Sequence, residues 1–247
     1  MVRALVIIMI ATFVLALGCF GGVVGLGGPD LARNGWVWPE KWRQYGIHVD
    51  SDGDISTDSD EPDETRELTW AGGPSLQLDL PAEVVFTQGA ETKVVVSGPR
   101  SVIDRIAFEG DRLHFEDDSG RRLREGLTIT ISAPSVTRFV VNGASRLSID
   151  DYDQPELAVE INGSGDVVAS GKAGKVTISV AGSGKADLGG VQTRDVAIDI
   201  AGSGDATASP TGNAKVSIAG SGDVNLLSKP ASLEKDVAGS GDVHVDD

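Results

Sequence analysis

Basic residues, cysteine, histidine and aromatic side chains are all scarce in this chain of 247 residues. Its 21 lysines and arginines stand against 37 aspartates and glutamates, and the net charge of −16 repels phosphate groups, so nucleic acid is not an expected partner. The single cysteine, Cys19, cannot form an internal disulfide. The three histidines, His48, His114 and His244, show no Cys/His spacing of a zinc site. Disulfide-stapled and zinc-bound folds are therefore not expected.

The N-terminal segment, residues 1–28, is apolar. No charged side chain interrupts it between Ala4 and Gly28, and at about 1.5 Å per helical residue it is long enough to cross a membrane. Its length favours a retained anchor over a cleaved signal peptide, and a lipoprotein acylated at Cys19 is a third alternative. Three tryptophans and a tyrosine in residues 36–45 suit a membrane interface or a small aromatic cap. We expect an inner-membrane anchor with the following domain in the periplasm; a lipoprotein or secretion to the cell surface is the alternative.

An acidic linker follows the anchor. Residues 29–66 combine the aromatic juxtamembrane stretch with DSDGDISTDSDEPDET, which has eight acidic residues and no basic one, and this composition favours an extended tether. Asp50, Asp52 and Asp54 fall at positions 1, 3 and 5 of an EF-hand calcium loop, but Ile55 stands where that loop needs glycine. A calcium site at these aspartates is the alternative to a simple linker.

A core of the type Gly-Ser-Gly-Asp repeats along the last part of the chain. From a degenerate forerunner at Gly143, the first glycines of successive cores are separated by 20, 19, 20, 18 and 19 residues. A period near 20 residues predicts a solenoid in which each repeat is one coil. The glycine pairs are Gly163 and Gly165, Gly182 and Gly184, Gly202 and Gly204, Gly220 and Gly222, and Gly239 and Gly241.

The alternation of residues around each core predicts which side chains face inward. Val176, Ile178 and Val180 share one parity with the core glycines that follow, so in an extended chain all of them point to the same side. We interpret the glycines as structural corners on the inward face, where they let the strand bend. A phosphate-binding loop is excluded because the cores recur without helices, whereas a calcium-binding β-helix repeat has a period of about 9 residues.

Outward residues are predicted to stack into two columns at these corners. The first, called here the serine column, comprises Ser164, Ser183, Ser203, Ser221 and Ser240. The second, the charge column, comprises Arg146, Asp166, Lys185, Asp205, Asp223 and Asp242. Its first four members alternate in sign, but Asp205, Asp223 and Asp242, its acidic end, are like charges that repel one another or collect a cation such as calcium. No other cofactor is expected.

The remaining domain, residues 67–247, reads as strands throughout. We assign residues 67–134 to irregular N-terminal coils and a cap, with a separate sandwich as the alternative, and residues 135–247 to the repeats. No helix is expected after the anchor. Lys235 occupies a position that is apolar in earlier coils, such as Val216, so the last coil should fray.

The segments LQLDLPAEVVFTQGAETKVVVSGP and LTITISAPSVTRFVVNGAS, with the serial GSGDV units, give the chain a resemblance to a known family. From about Glu67 to Asp247 it resembles the putative auto-transporter adhesin, head GIN domain family of bacterial envelope proteins. The resemblance implies a right-handed parallel β-helix-like fold outside the cytoplasm, with adhesion inferred for the family and no catalytic residues to carry over.

The expected function is a membrane-anchored, non-enzymatic interaction or adhesion module of the bacterial envelope, whose partner is an envelope protein or polysaccharide. One alternative is a polysaccharide-active β-helix enzyme that would use Asp205, Asp223 and Asp242 with Lys185. A second alternative is an envelope-stress sensor acting through a membrane partner.

Overall fold

The computed structural model describes residues 63–116 and 126–246, together with the backbone of two short strands ahead of them. The chain divides into two compact units, Met1–Asp60 and Glu61–Asp247. In the first unit, β1 (Ile47–Val49) and β2 (Ile55–Thr57) pair in antiparallel fashion within the acidic linker. The predicted anchor, residues 1–28 with Cys19, and the aspartates at 50, 52 and 54 lie outside the described residues. In the part of the chain that is described, no helix has the length and apolar character needed to span a membrane.

The second unit is built almost entirely from strands. Within residues 63–116 and 126–246 it has one helical turn, α1 (Arg100–Ile103), where the sequence predicted no helix. The strands are β3 (Asp63–Leu68), β4 (Ser75–Leu78), β5 (Glu83–Gln88), β6 (Lys93–Pro99), β7 (Ile106–Glu109), β8 (Arg112–Phe115), β9 (Thr128–Ala133), β10 (Arg138–Gly143), β11 (Arg146–Gly163), β12 (Asp166–Gly182), β13 (Lys185–Gly202), β14 (Asp205–Pro210), β15 (Asn213–Gly220), β16 (Val224–Leu226), β17 (Ser232–Gly239) and β18 (Val243–Val245).

Successive coils stack in parallel, as the repeat predicted. Strand β11 pairs with β12 from Arg146 to Gly163, with one shift of register between Ile149 and Tyr152. The same parallel pairing continues from β12 to β13, from β13 to β14 and β15, and onward to β16, β17 and β18. The all-β solenoid with coils of about 20 residues is therefore confirmed, and the right-handed sense of its coil stays a prediction.

The apolar residues of the predicted parity form the core between the walls of each coil. Val176, Ile178 and Val180 are each at most 1% exposed. Their equivalents in neighbouring coils are also buried, for example Ile161 and Ile200. Burying a side chain of this size contributes about 1.5–3 kcal/mol, so each coil is stabilised chiefly by the row of inward residues that it stacks on the coil before.

The N-terminal part caps the solenoid with strands of mixed direction. Strands β4 and β5 pair in parallel with β10 and β11, which makes the cap continuous with the coils rather than a separate sandwich. Strand β6 lies between β3 and β9 and is antiparallel to both, and β7 and β8 form an antiparallel pair. Strand β3 begins at Asp63, ahead of the domain start that was expected at Glu67. Turn α1 packs beside it, where the Arg66 side chain donates a hydrogen bond to the Ile103 carbonyl at 2.9 Å.

Candidate functional site: the polar wall at the corners

The first glycine of each core ends a strand in a conformation that other residues rarely adopt. Its φ lies between 131° and 145° in all five cores. These glycines are half-buried, except for Gly239, which is exposed. A Cβ on Gly182 would lie 2.3 Å from the Gly163 carbonyl oxygen, and a Cβ on Gly202 would lie 2.3 Å from that of Gly182. Both the backbone angle and the coil before therefore require glycine here.

The second glycine of each core is required by close approach alone. A Cβ on Gly184 would lie 2.5 Å from the Gly165 carbonyl oxygen and 2.6 Å from Cγ2 of Ile161 in the core. This position is buried in the first four cores and half-buried at Gly241. In the forerunner, Ser145 takes the equivalent place and donates its hydroxyl hydrogen to the Leu80 carbonyl. At the corners, successive backbones therefore stack so closely that no side chain fits between them.

The serine column lies in solvent along this corner. All five serines are exposed, and their backbone N–H groups donate to the carbonyl of the first glycine one coil earlier at 2.8–2.9 Å. Their hydroxyl groups face outward, so the column forms a polar strip along the solenoid. A strip of hydroxyl groups offers both donors and acceptors to an external ligand.

The charge column runs beside the serine column, in the predicted register. Arg146 stands opposite Asp166, and one of its guanidinium nitrogens lies 3.4 Å from a carboxylate oxygen of Asp166. Asp166 in turn stands opposite Lys185, and Lys185 opposite Asp205. Opposite charges in directly paired positions are favourable in a sheet, which accounts for the alternation in this half of the column.

The acidic end of the column is held by backbone hydrogen bonds. The N–H of Asp223 donates to the carboxylate of Asp205 at 3.1 Å, and the N–H of Asp242 donates to the carboxylate of Asp223 at 2.9 Å. The carboxylates of Asp205 and Asp223 thus each bind the coil that follows. Within residues 63–116 and 126–246, no three histidine, cysteine or acidic side chains are grouped so that they could hold a metal ion.

The serine column and the charge column together form the polar wall. A shallow groove of about 370 Å³ lies beside the acidic end of this wall. The charge column forms one side of the groove. The other side is a further column of outward residues, Thr207, Asn225 and His244, which stack in register with one another. The polar side chains that line the groove are Lys185, Asp205, Asp223 and Asp242 from the charge column, and Thr207, Asn225 and His244 from its neighbour. The amide oxygen of Asn225 is buried, and no described residue gives it a hydrogen bond. The groove therefore presents carboxylate, amide, hydroxyl and imidazole groups to one ligand.

A polar cluster around Asp79 joins the cap to the first coil and was not found from the sequence. Burial would raise the pKa of Asp79, but hydrogen bonds from Asn142, Gln77 and Arg112 and the charge of Arg112 outweigh it and lower that pKa. Gln77 lies 3.0 Å from the carboxylate, and Asn142 also accepts a bond from Asn162 at 3.0 Å. The alternation along each strand predicts that these residues face outward. It does not predict which strands of the cap lie side by side, so the cluster could not be found from the sequence.

A second corner, without a GSGD core, was also missed. Asp151 has a positive φ of 54°, and Tyr152 beside it is only 1% exposed. The Tyr152 hydroxyl lies 2.6 Å from the Glu156 carbonyl and 3.1 Å from that of Val136, and burial together with the charge of Glu156 raises its pKa. In the next coil Gly171 takes this place, where a Cβ would lie 2.2 Å from the Tyr152 carbonyl oxygen. The close approach of successive backbones therefore requires glycine at this corner also.

Solved structures share this fold. A putative adhesin from Bacteroides fragilis NCTC 9343 is 19% identical, with a TM-score of 0.61 over 75% of this chain and 98% of that chain. A putative lipid binding protein and a putative adhesin, both from Parabacteroides distasonis ATCC 8503, are 17% and 14% identical, with TM-scores of 0.47 and 0.48. They match 75% and 76% of this chain and 97% and 98% of their own. Among proteins with curated descriptions, none matches the chain.

The family described as "putative auto-transporter adhesin, head GIN domain" matches residues 74–230. That range holds the cap from β4 onward and four of the five cores. The chain therefore belongs to the head GIN domain family of putative auto-transporter adhesins.

Proposed function

We propose that the protein is a non-enzymatic adhesion module of the bacterial envelope that binds its partner along the polar wall at the corners. The observation that carries this proposal is the groove beside the acidic end, where charged and neutral polar side chains from successive coils line one continuous surface. Because each coil repeats the same outward positions about 4.8 Å further on, a repeating partner can contact several coils at once. Repeated weak contacts of this kind give high total affinity without a deep pocket.

The groove favours an envelope polysaccharide or protein that brings cationic or hydroxyl groups. Asp205, Asp223 and Asp242 supply negative charge, while Thr207 and Asn225 supply neutral hydrogen-bonding groups. Contacts to the carboxylates are exposed and are therefore weakened by salt.

A binding experiment with matched variants tests the wall. The groove variant replaces Asp205, Asp223 and Asp242 with asparagine, and the control variant replaces Asp151, Asp153 and Asp199, three exposed acids outside the groove, with asparagine. Full-length protein is immobilised and exposed to fractionated envelope polysaccharides and envelope proteins. We expect binding to fall at least about tenfold in the groove variant and to stay unchanged in the control. Equal retention by wild type and groove variant would refute the assignment of the wall.

A non-enzymatic role is supported by the shape of the wall. Coils of 18–20 residues leave no long loops around the groove to close a cleft over a substrate. The carboxylates of Asp205 and Asp223 each accept a backbone hydrogen bond from the next coil, so they are already engaged in holding the coils together. We therefore expect no shortened products when the protein is incubated with acidic glycans. Products that disappear with Asp223→Ala would instead identify a polysaccharide-active enzyme.

We also propose that residues 1–28 keep the module at the inner membrane with its solenoid in the periplasm. The support is the uncharged length of residues 4–28 and the acidic tether that follows. Cell fractionation combined with the mass of the mature protein separates the alternatives. An uncleaved chain in the membrane fraction is expected. A lipidated chain that begins at Cys19, or a cleaved chain in the medium, would contradict the retained anchor.

A further inference from the structure

The C-terminal end of the solenoid leaves strand edges open. Among the described residues, β17 pairs only with β15 and β18 only with β16. All eight residues of β17 are exposed. Leu233 and Val237 stand opposite the buried Ala214 and Ile218, yet each is 38% exposed. The last row of core residues is therefore uncovered along with its backbone groups.

The last corner, at Gly239 and Asp242, has the same hydrogen-bond acceptors that join the inner coils to one another. At the preceding interface, the Ser240 N–H donates to the Gly220 carbonyl and the Asp242 N–H to the Asp223 carboxylate, both at 2.9 Å. The Gly239 carbonyl and the Asp242 carboxylate are the same groups one coil further on. Within the described residues no further coil supplies donors to them. The end is thus shaped as a template for another strand.

We infer that this end is a docking site for an extended strand of a partner polypeptide that stacks in parallel as one more coil. This goes beyond the proposed function, which concerns the side wall and not the end. The partner strand must carry apolar residues over Leu233, over the aliphatic stem of Lys235 and over Val237, followed by Gly-x-Gly at the corner. The glycines are required because a Cβ on Gly239 already falls 1.9 Å from the Gly220 carbonyl oxygen, and a Cβ on Gly241 falls 2.1 Å from that of Gly222. A strand stacked in the same way meets the same limit.

The charge column determines the residue that follows Gly-x-Gly in the partner. Asp205, Asp223 and Asp242 already place three carboxylates in succession, so a further acid would extend the repulsion. In the inner column, Lys185 stands between Asp166 and Asp205. We therefore expect lysine or arginine at this position of the partner strand.

A second copy of the chain fits this end poorly. In a tail-to-tail pair the two outward acids of β17, Glu234 and Asp236, would lie near the same two acids of the other copy, and each chain has a net charge of −16. Head-to-tail stacking would have to use the outer strands of the cap, β3 and β7, which are antiparallel to the strands beside them and carry no Gly-x-Gly corner. Charge and topology therefore both favour a different, basic strand as the occupant.

The chain itself supplies a probe of the expected pattern. The fluorescein-labelled peptide KVTISVAGSGKADL, residues 175–188, has the alternation, the glycines and the lysine. Two matched peptides carry either alanine in place of both glycines or aspartate in place of the lysine that follows them, Lys185. Fluorescence anisotropy with full-length protein should show saturable binding of the first peptide, none of the alanine peptide, and about threefold weaker binding of the aspartate peptide at low salt. Amide hydrogen exchange should slow in β17 and β18.

The protein variant Asp242→Lys provides the decisive control, because Asp242 is exposed and lies at the end of the column. This variant should reverse the preference and bind the aspartate peptide more tightly than the lysine peptide. The inference is overturned if the lysine peptide does not bind, if the alanine peptide binds equally well, or if Asp242→Lys leaves the preference unchanged. Sedimentation showing a dimer protected at β17 would overturn it in favour of a second copy. Retention of envelope ligands by the wall is measured separately, so either proposal can fail alone.

Discussion

Replacing Gly204 with alanine probes the close stacking of successive corners. The new Cβ would lie 2.5 Å from the Gly184 carbonyl oxygen, 3.3 Å from the Gly184 nitrogen and 2.6 Å from Cγ1 of Val180. Non-bonded heavy atoms are normally separated by about 3.5 Å, so the two coils must move apart by about 1 Å. The backbone bond from the Asp205 N–H to the Gly184 carbonyl, now 3.1 Å, would be broken by such a displacement.

The expected loss follows from these two effects. Inserting a carbon into packed surroundings costs about 1–3 kcal/mol. Losing one backbone hydrogen bond adds about 1 kcal/mol. The Gly204→Ala variant should therefore lose about 2–4 kcal/mol of unfolding free energy, measured by urea denaturation with far-UV circular dichroism. Because each coil contacts only its neighbours, the loss should also loosen the coils on both sides of Gly204 in hydrogen exchange.

Gly126→Ala is the matched control. A Cβ at Gly126 meets no atom within 4 Å, and its backbone does not require glycine. Alanine there restricts the unfolded chain and should leave stability unchanged or raise it by about 0.4–1 kcal/mol. The reasoning is refuted if Gly204→Ala unfolds at the same urea concentration as the wild type or as Gly126→Ala, because the corners would then tolerate a side chain.

Three further predictions concern charged residues. Asp79→Asn should lower the free energy of unfolding by about 2 kcal/mol at pH 7. Because folding lowers the pKa of Asp79, the stability that its charge contributes is complete above the unfolded pKa of about 3.9 and is lost as the pH falls through the lower folded pKa. Urea denaturation should therefore show a smaller difference between wild type and variant at pH 2 than at pH 7. Asp223→Asn keeps the acceptor for the Asp242 N–H and removes a repulsive charge, so its melting temperature should equal or exceed that of the wild type, whereas Asp223→Ala should lose about 1 kcal/mol; equal melting of both variants would contradict this role. Lys235→Val matches Val216 in the coil before and extends the row of apolar residues, so it should slow amide exchange in the last strands. Unchanged exchange in these strands would contradict this effect.

The parity of side chains around the cores was enough to predict the coils. Strict alternation identifies inward residues regardless of the partner strand, and the constant spacing of glycines fixes which residues stack. Lys235 was therefore placed opposite Val216, and Arg146 opposite Asp166, in agreement with the observed register. The alternation and the repeat length were enough to predict the stacking register because each coil contacts only the coils beside it.

The cap could not be predicted to the same depth because alternation does not reveal the direction of pairing. Strand β6 alternates like any coil strand, yet it is antiparallel to both of its neighbours. The short turn α1 interrupts the sheet within a segment whose residues gave no helical period. The cluster around Asp79 depends on contacts between distant strands, from Gln77 to Asn142. These features arise from tertiary packing, which a single sequence read locally does not encode.

The acidic end of the charge column also shows what a repeat alone leaves undecided. Stacked aspartates predict either repulsion or a bound cation. The structure offers a third arrangement, in which the carboxylate of Asp205 or Asp223 accepts a backbone N–H from the next coil. That choice depends on side-chain rotamers at the corner, and the tight glycine backbone determines where the N–H group points.

The two ends of the polar wall differ in net charge, because the charges are paired at one end and are all negative at the other. At the Arg146 end each charge faces an opposite one, so its field is nearly cancelled a short distance away. At the other end three carboxylates follow one another at about 4.8 Å, which is shorter than the Debye length of about 8 Å at physiological salt. They therefore act together on an approaching partner, even though backbone hydrogen bonds hold two of them in place. A cationic partner is drawn to the C-terminal end of the solenoid first, and both the groove and the open strand edges lie at that end.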